Sequence, residues 1–447
     1  MCGIAGGYSL SLHGMLEVLS HRGRDGAGAF FSGSLSLGHL LHATHSTASQ
    51  PLLGCTLVCA GNGEIYNHTE LREAVETHTM RTESDFEPVL HLIEEHHTGN
   101  LLQAAAAVHP MIDGEYALAV TDGREVVLLR DHAGTKPLYI SSRAFASEKK
   151  ALWAVGERCR SLSPSEIHSL CGGSVRLSRL RTAAIKNPLQ QLHQALTRAV
   201  EKRAIHLRRF GILVSGMDSL LLAHIAASLG YQPRLYTFAL PGSADSHLHL
   251  EHLGLEHVHI EAEPGELYEA MGRVLHAIED PSPLSLSIAL PLYLACRAAS
   301  AEGEKVLLTG QGCDELFGGY AKYLRGAEPT SAMLLDYLHM YRLNLERDDK
   351  AAMIAGIELL HPYTDRRVVE LALSLPLRWK LHGGAGKHII RKLARRLGVP
   401  EARLRKRAIQ YSSGTMKVLK KLARSEKKSL SELVAERYSA IFSAPPA

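Results

Sequence analysis

Met1-Cys2-Gly3-Ile4 opens the chain, and the reading of these four residues decides the fold expected of the first half. Removal of Met1 leaves Cys2 as the N-terminal residue. One residue then carries both a thiol and a free α-amine, whose pKa of about 7.7–8.0 lets it act as a base near neutral pH. Nucleophile and base on a single residue follow the logic of a Thr activated by an N-terminal amine. Gly3 leaves room for a substrate carbonyl close to the backbone.

Outward from Cys2, short apolar runs over 26–31, 35–41 and 56–60 read as strands punctuated by Gly and Ser. Residues 85–95 have helical periodicity. The runs 115–121 and 125–130 alternate as a hairpin joined by Asp122-Gly123, a strong two-residue turn signal. Residues 137–141 and 143–147 form another strand pair, and 161–173, rich in Ser, Pro and Gly, reads as irregular. The expected architecture is an α+β domain of stacked antiparallel sheets over residues 2–185. Within it, Gly61-Asn62-Gly63-Glu64-Ile65-Tyr66-Asn67 follows a strand. The Asn62 amide and a Gly63 N–H can converge on an oxyanion, and Glu64 suits a substrate ammonium group. Thr82-Glu83-Ser84-Asp85 opens a helix, with Asp85 either a second carboxylate for that ammonium or an acidic residue favoured by the helix dipole.

The bulk composition narrows the function classes. The 447 residues suggest two or three domains, and 45% hydrophobic content supplies a core. No apolar run approaches 18 residues, so no membrane span is expected, and the start lacks the long apolar region of a secretion signal. Seven scattered cysteines point to a reducing, cytoplasmic compartment. Cys55 and Cys59 lack a second pair to complete a zinc site and read as structural thiols. Net charge is +4, unevenly spread: residues 387–428 hold 15 Lys and Arg against Glu401 and Glu426, so that segment carries +13 and the remainder −9. A solvated helical face, or a footprint for nucleic acid or polyphosphate, accounts for such a segment.

In order along the first 150 residues stand Cys2-Gly3-Ile4, His21-Arg22-Gly23-Arg24-Asp25, Gly63-Glu64-Ile65-Tyr66-Asn67, Glu83-Ser84-Asp85, Asp113-Gly114-Glu115-Tyr116-Ala117, Arg130-Asp131 with Lys136-Pro137-Leu138-Tyr139, and Phe145-Ala146-Ser147-Glu148. Together they resemble the glutaminase domain of class II, N-terminal-nucleophile glutamine amidotransferases, in particular asparagine synthetases. The resemblance implies that Cys2 attacks the glutamine amide, that Asn62 and Gly63 form the oxyanion hole, and that Glu64 and Asp85 grip the glutamine ammonium. One departure stands out. The family commonly has an Arg for the glutamine carboxylate where Gly38-His39-Leu40-Leu41 places Leu41.

The second half reads as alternating strands and helices. An amphipathic basic helix over 187–209 precedes the buried strand 211–214, the tight loop Ser215-Gly216-Met217-Asp218-Ser219 and an apolar helix over 220–229. A small-residue loop between strand and helix suits a phosphate. Asp218 suits Mg2+ there. Strand 234–240 follows, and strand 304–308 runs into Thr309-Gly310-Gln311-Gly312-Cys313-Asp314-Glu315. The alternation implies an α/β doubly wound parallel sheet with ligands at the carboxyl ends of its strands.

This half resembles the PP-loop ATP pyrophosphatase domain of the same family, ending in a helical C-terminal part. The implied boundaries are 186–430 for this domain and 431–447 for a tail. By the resemblance Val214, Ser215, Gly216, Ser219, Phe238, Thr309 and Gly310 bind ATP, Asp218 and Asp314 hold Mg2+, and Lys387 of Gly386-Lys387-His388-Ile389-Ile390-Arg391 neutralises pyrophosphate. Asp348-Asp349 and the segment 358–365 follow the family order. Three features depart: Gln311 stands where asparagine synthetases place a Glu, no Arg occupies the acceptor segment near Leu286 and Ser287, and the helix after Asp245 is short. With Arg407-Ala408-Ile409-Gln410, these features are similar to the divergent asparagine synthetase domain-containing proteins. His247, His249, His252, His257 and His259 lack a complementary ligand pattern and read as surface histidines.

The expected function is that of a glutamine-dependent amide ligase. Glutamine is hydrolysed at Cys2, and ammonia passes within the protein to an ATP-adenylated carboxylate, aspartate by default, with release of AMP and pyrophosphate. ATP and Mg2+ are the cofactors, small molecules the substrates, and a homodimer is compatible. The missing acceptor Arg, Gln311 and the basic segment leave two alternatives: a ligase acting on another carboxylate or on a nucleotide or tRNA base, and a non-catalytic binding protein. The general base lost at Gln311 has its nearest replacements in sequence at Glu315, Tyr320 and Glu279.

Overall fold

The computed structural model describes residues 2–177, 180, 182, 184–243, 250, 253–400 and 413–442. His247, His249, His252 and Arg407–Gln410 lie outside the described residues, as does part of the basic segment. The chain divides into two compact units, Met1–Arg179 and Leu180–Ser443.

The first unit contains β1 (Gly3–Tyr8), β2 (Gly26–Ser32), β3 (Leu35–Leu41), β4 (Leu52–Leu53), β5 (Val58–Ile65), β6 (Gly114–Thr121), β7 (Val126–Arg130), β8 (Tyr139–Ile140), β9 (Ala144–Ala146), β10 (Arg160–Ser161), β11 (Glu166–Ser169) and β12 (Ser174–Arg176). They build two antiparallel six-stranded sheets, ordered β10-β8-β9-β1-β3-β2 and β12-β11-β7-β6-β5-β4. The period of two along each strand explains the layering. Ile4, Leu35, Leu37 and Phe145 of one sheet meet Val58, Ala60, Ala117, Ala119 and Leu128 of the other in a shared core. The alternate residues Cys59, Leu118, Val120 and Leu129 face outward to helices Glu87–His96 and Leu101–Val108. Ala5 and Leu40 face helix Leu12–Val18. The result is helices on both outer faces of a two-sheet sandwich.

Three local expectations change. Residues 161–173 contain β11, paired with β7 and β12. Only Ile167 of that strand joins the core, so four residues carry too little alternation to be read without their partners. The stretch from Gly61 through Glu64 lies inside β5 rather than after it, paired with β6 by Asn62↔Ala117 and Gly63↔Tyr116. Helix Glu87–His96 begins two residues after Asp85.

The second unit is built on five parallel strands: β13 (Gly211–Leu213), β14 (Arg234–Ala239), β15 (His257–Glu261), β16 (Val306–Leu308) and β17 (Glu358–Leu360), in the order β15-β14-β13-β16-β17. Successive residues go to opposite faces. Ile212, Leu308 and Leu360 join one apolar cluster with helices Pro188–Ala204, Met217–Ser228 and His388–Arg396. Leu213, Tyr236, Leu307 and Leu359 join another with helices Pro264–Ile278 and Pro283–Ala301. Burial on both faces is why these strands read as continuous apolar runs. The order reverses between β13 and β16, so the loops leaving their carboxyl ends diverge and open a crevice.

Helix Met217–Ser228 starts earlier than its apolar run, placing Asp218 and Ser219 in its first turn. Residues Leu430–Ile441 form a helix whose Leu433 and Val434 enter the core. Helix Pro283–Ala301, 19 residues with mean hydropathy 1.4, is long and apolar enough to cross a membrane by length and composition, though Ser285, Ser287, Arg297 and Ser300 interrupt its apolar residues. Here its Leu286, Leu290 and Leu294 lie in the core of the unit. All seven cysteines are free thiols.

Candidate active site

In the first unit Cys2 immediately precedes β1 and is buried. Its backbone N donates to Asn62 Oδ1 at 3.0 Å. The other end of the same amide, Asn62 Nδ2, is buried with no partner among the described residues. An orphaned buried donor is costly, and its position beside the thiol residue makes it available to a ligand oxygen. Gly63 has φ +131, and a Cβ there would sit 1.9 Å from Glu115 O, so no other residue fits. Asp85 Oδ2 accepts from Ile65 N at 2.6 Å, which holds Asp85 against the strand one residue beyond Glu64. Glu64 Oε1 accepts from Thr44 Oγ1 at 2.9 Å. Leu41 is buried beside Gly26 at the end of β3 and brings no charge. His39 lies in the middle of β3, and burial pushes its imidazole down to about 3, leaving it neutral.

Behind Cys2 stands a charge network that the sequence motifs contained without revealing. Arg22, fully buried, donates Nε to Cys2 O at 3.1 Å and Nη1 to Glu148 Oε1 at 2.7 Å. Glu148 also meets His21 Nε2 at 2.9 Å and the Lys150 ammonium. Burial alone would raise the Glu148 carboxyl, but His21, Lys150 and Arg22 hold it well below the usual carboxylate range. The network fixes the carbonyl of Cys2 and, with it, the backbone that carries the thiol.

In the second unit the crevice between β13 and β16 gathers Asp218, Asp314 and Lys387. Lys387 Nζ lies 2.5 Å from Asp314 Oδ1 and also contacts Asp218 Oδ2. Burial opposes the ammonium charge, yet the Asp218 carboxylate keeps its pKa above the ordinary range. Lys387 adopts a left-handed backbone at φ +57, a cost of order 1–3 kcal/mol tolerated where the side chain must point one way. Gly319 makes the approach possible: a Cβ there would lie 1.7 Å from Asp314 Oδ1 and 2.4 Å from Lys387 Cε. Gly310 abuts Asp218 and the Ser219 N–H, at 3.1 and 3.2 Å from its Cβ position.

Other residues singled out by sequence divide. Ser215 N donates to Ser219 Oγ at 3.1 Å, which rounds the loop into the helix. Thr309 N donates to Leu360 O, anchoring the loop after β16. Val214 is buried and donates its N–H to Tyr236 O at 2.8 Å. Phe238 sits on β14 with its ring in the apolar cluster around Leu240 and Met271. Leu286 and Ser287 are fully buried in helix Pro283–Ala301. His257 and His259 of β15 both hydrogen-bond Thr237 Oγ1.

Gln311 donates Nε2 to Asp348 Oδ2 at 2.5 Å, while Asp348 Oδ1 takes Arg347 at 2.7 Å. Of the three replacements named for its missing carboxylate, Glu279 is tied to Lys350 at 2.6 Å in a buried pair. Glu315 and Tyr320 form one unit, the Tyr320 hydroxyl donating to Glu315 Oε1 at 2.6 Å. Asn344 Nδ2 adds a second bond at 2.8 Å, and Glu315 Oε2 is buried without a partner among the described residues. Burial raises the Glu315 carboxyl.

Sequence reasoning missed Cys313, whose S–H points to Asp218 Oδ1 at 3.2 Å, and Tyr363, whose hydroxyl donates to Asp218 O at 3.1 Å. Both lie inside motif segments, and only their partners' positions reveal what they do.

Comparison with known proteins places these observations in a family. Residues 1–210 match the model described as a glutamine amidotransferase domain, and residues 191–330 and 325–444 match that described as asparagine synthase. A Methanocaldococcus jannaschii relative assigned as a glutamine-hydrolysing asparagine synthetase is 34% identical over 85% of this chain and 79% of its own. Asparagine synthetase B of Escherichia coli K12 is 31% identical over 84% of this chain and 74% of its own. Among solved structures, the glutamine phosphoribosylpyrophosphate amidotransferase of Bacillus subtilis covers 51% of this chain and 64% of its own at 23% identity and a TM-score of 0.37.

The buried network behind Cys2 generates a stability prediction. Glu148→Gln strands the Arg22 and Lys150 cations and is expected to cost about 3–5 kcal/mol at neutral pH. Because the folded-state carboxyl lies below its ordinary 4.5, its contribution is full above that value and fades as pH falls toward the folded pKa. Urea unfolding at pH 7 and pH 3.5 therefore should show a large deficit that shrinks in acid. An equal deficit at both values would show that the network acts by packing alone.

Proposed function

We propose that this chain, which belongs to the glutamine-hydrolysing asparagine synthetase family, couples glutamine hydrolysis at Cys2 to ATP-driven amidation of aspartate in its second unit. The observation that carries the reading is the Asn62 amide, one end on Cys2 N and the other a buried donor with no partner among the described residues.

In the first unit, removal of Met1 frees the Cys2 α-amine. That amine takes the thiol proton, and the thiolate attacks the side-chain amide carbon of glutamine. Asn62 Nδ2 and the Gly63 N–H receive the charge that develops on the carbonyl oxygen. The amine returns the proton to the leaving nitrogen, ammonia departs, and water then cleaves the thioester to glutamate. Glu64 and Asp85 hold the glutamine ammonium.

In the second unit, ATP binds at the crevice between β13 and β16 with its phosphates toward the loop 215–219. The substrate carboxylate attacks the α-phosphorus, and pyrophosphate leaves. Asp218 and Asp314 are the residues that would hold Mg2+, a fit supported by two carboxylates brought together around one cationic group; the ion supplies charge neutralisation on the phosphates. Lys387 is the protein's own cation there, placed to turn from the carboxylates to departing pyrophosphate. Ammonia then attacks the acyl-adenylate, an amide forms and AMP leaves. The proton lost from ammonia goes to Glu315, whose buried Oε2, without a partner among the described residues, and raised pKa suit an acceptor. Gln311 has no accessible pKa and serves as a donor to Asp348.

Two experiments test the division of labour. Cys2→Ala should abolish glutamine-dependent asparagine formation and leave the ammonia-dependent reaction intact, whereas Asp314→Asn should leave glutaminase activity while lowering pyrophosphate release roughly 100-fold or more. Loss of both reactions in Cys2→Ala, with the fold intact, would sink the two-site assignment.

Gln311→Glu probes the departure from the family. The new carboxylate would face Asp348 across a hydrogen-bond distance, so one of the two must be protonated and its pKa raised. With Glu315 as the proton acceptor, asparagine formation from aspartate, ATP and ammonia is expected not to rise in this variant. A marked rise would show that the base missing at 311 limits the wild-type reaction and that Glu315 does not replace it.

A further inference from the structure

We propose that the first unit carries a zinc-binding site made of Cys55, His78 and Glu94. A thiol, an imidazole and a carboxylate from three separate elements bring their ligand atoms within 4.8 Å of one another. Cys55 lies in the exposed turn before β5, His78 in the segment between residue 75 and Ser84, and Glu94 on helix Glu87–His96. Read along the chain, their spacing resembles no metal motif.

The hydrogen bonds around the cluster fix which atoms are left to bind. Thr77 Oγ1 donates to Glu95 Oε1 at 2.8 Å, so its lone pair accepts from His78 Nδ1–H at 3.0 Å. Glu95 Oε1 stands 3.3 Å from the same ring nitrogen. With the proton on Nδ1, the Nε2 lone pair is directed to Glu94 Oε2 at 3.5 Å. A cation between these two atoms would join them, and the Cys55 thiol lies within reach of the same point. Glu94 is held for the purpose: its Oε1 accepts from Thr56 N at 2.6 Å and Leu57 N at 2.9 Å, and its Oε2 from His91 Nδ1 at 2.7 Å. A carboxylate that orients a ligating imidazole through its second nitrogen is the usual outer shell of a zinc site. His78 stacks on His91 with ring centroids 4.9 Å apart, which limits rotation of its ring.

The donor set selects the ion. A thiolate with imidazole and carboxylate suits Zn2+, with bonds of about 2.0–2.3 Å. Tetrahedral ligands at those lengths stand roughly 3.3–3.8 Å apart, so the cluster closes by about an ångström, within reach of rotation of the exposed Cys55 side chain. Water fills the fourth position. The ion would pin the segment leading to Asp85 and the turn leading into the strand of Asn62 to a single helix.

The test is titration of the full-length protein with Co2+ and then Zn2+. One equivalent of Co2+ should bind with a thiolate-to-metal charge-transfer band, displaced by Zn2+. Cys55→Ser should abolish the band, Cys2→Ser should retain it, His78→Gln should abolish or severely weaken binding, and Glu95→Gln should weaken it about 10–100-fold. Absence of the band, or a band that survives Cys55→Ser and vanishes in Cys2→Ser, overturns the site. Cys55 is exposed, so its substitution tests ligation without threatening the fold, and circular dichroism of each variant checks this.

Discussion

The first unit depends on a carboxylate with no exposed surface. Glu148 is surrounded by Arg22, His21 and Lys150, and such a group is tolerable only while every partner is present. Arg22 also donates its Nε to the carbonyl of Cys2. The start of β1 is therefore fixed from behind by charge and from the front by Asn62. A residue at a chain terminus would ordinarily fray. Here β1 lies between β3 and β9, so the terminus inherits the rigidity of a central strand.

The second unit solves a different electrostatic problem. The reversal of strand order brings two carboxylates from the first turns of separate helices to one crevice, where their repulsion would oppose folding. Lys387 removes that repulsion by bridging both. Its left-handed backbone and the absence of a side chain at Gly319 are the geometric conditions for the bridge. The same cation that stabilises the free crevice is, on the proposed reading, the one that meets the leaving phosphates. Lys387 thus has two alternative anionic partners, and the crevice need not be rebuilt when nucleotide enters.

How much of this could be read in advance follows from range. The strand at 211–213 and the hairpin across Asp122-Gly123 were legible because their patterns are local. Cys2, Asn62, Asp218, Asp314 and Lys387 were legible as motif residues, and the structure brings the first pair together and the other three together. What escaped reading depends on partners distant in sequence. β11 exists because β7 and β12 flank it, and Ile167 alone could not announce it. Glu148 is one acidic residue among many until Arg22 is seen against it. Cys55, His78 and Glu94 come from a turn, a connecting segment and a helix, and no spacing rule joins them. Helix Met217–Ser228 began before its apolar run because Gly216 caps it, and the polar first turn masked its start.

The two departures at Leu41 and Gln311 differ physically. At Leu41 an expected cation is replaced by an apolar side chain buried at the end of β3, and the loss is one of binding charge. At Gln311 an expected anion is replaced by a neutral donor, and the surroundings match the replacement. Asp348 accepts from the Gln311 amide on one oxygen and from Arg347 on the other. A Glu at 311 would set two carboxylates against each other and force them to share a proton, whereas Gln supplies Asp348 with a hydrogen-bond donor. Proton acceptance is then left to a different group. Glu315 has the attributes required: adjacency to Asp314, a buried oxygen without a partner among the described residues, and a carboxyl raised by desolvation. Tyr320 and Asn344 hold its other oxygen, which orients the orphaned one. On the proposed reading, Gln311 supplies the hydrogen bond to Asp348 and Glu315 takes up the proton, so the two positions divide work that one carboxylate would otherwise do.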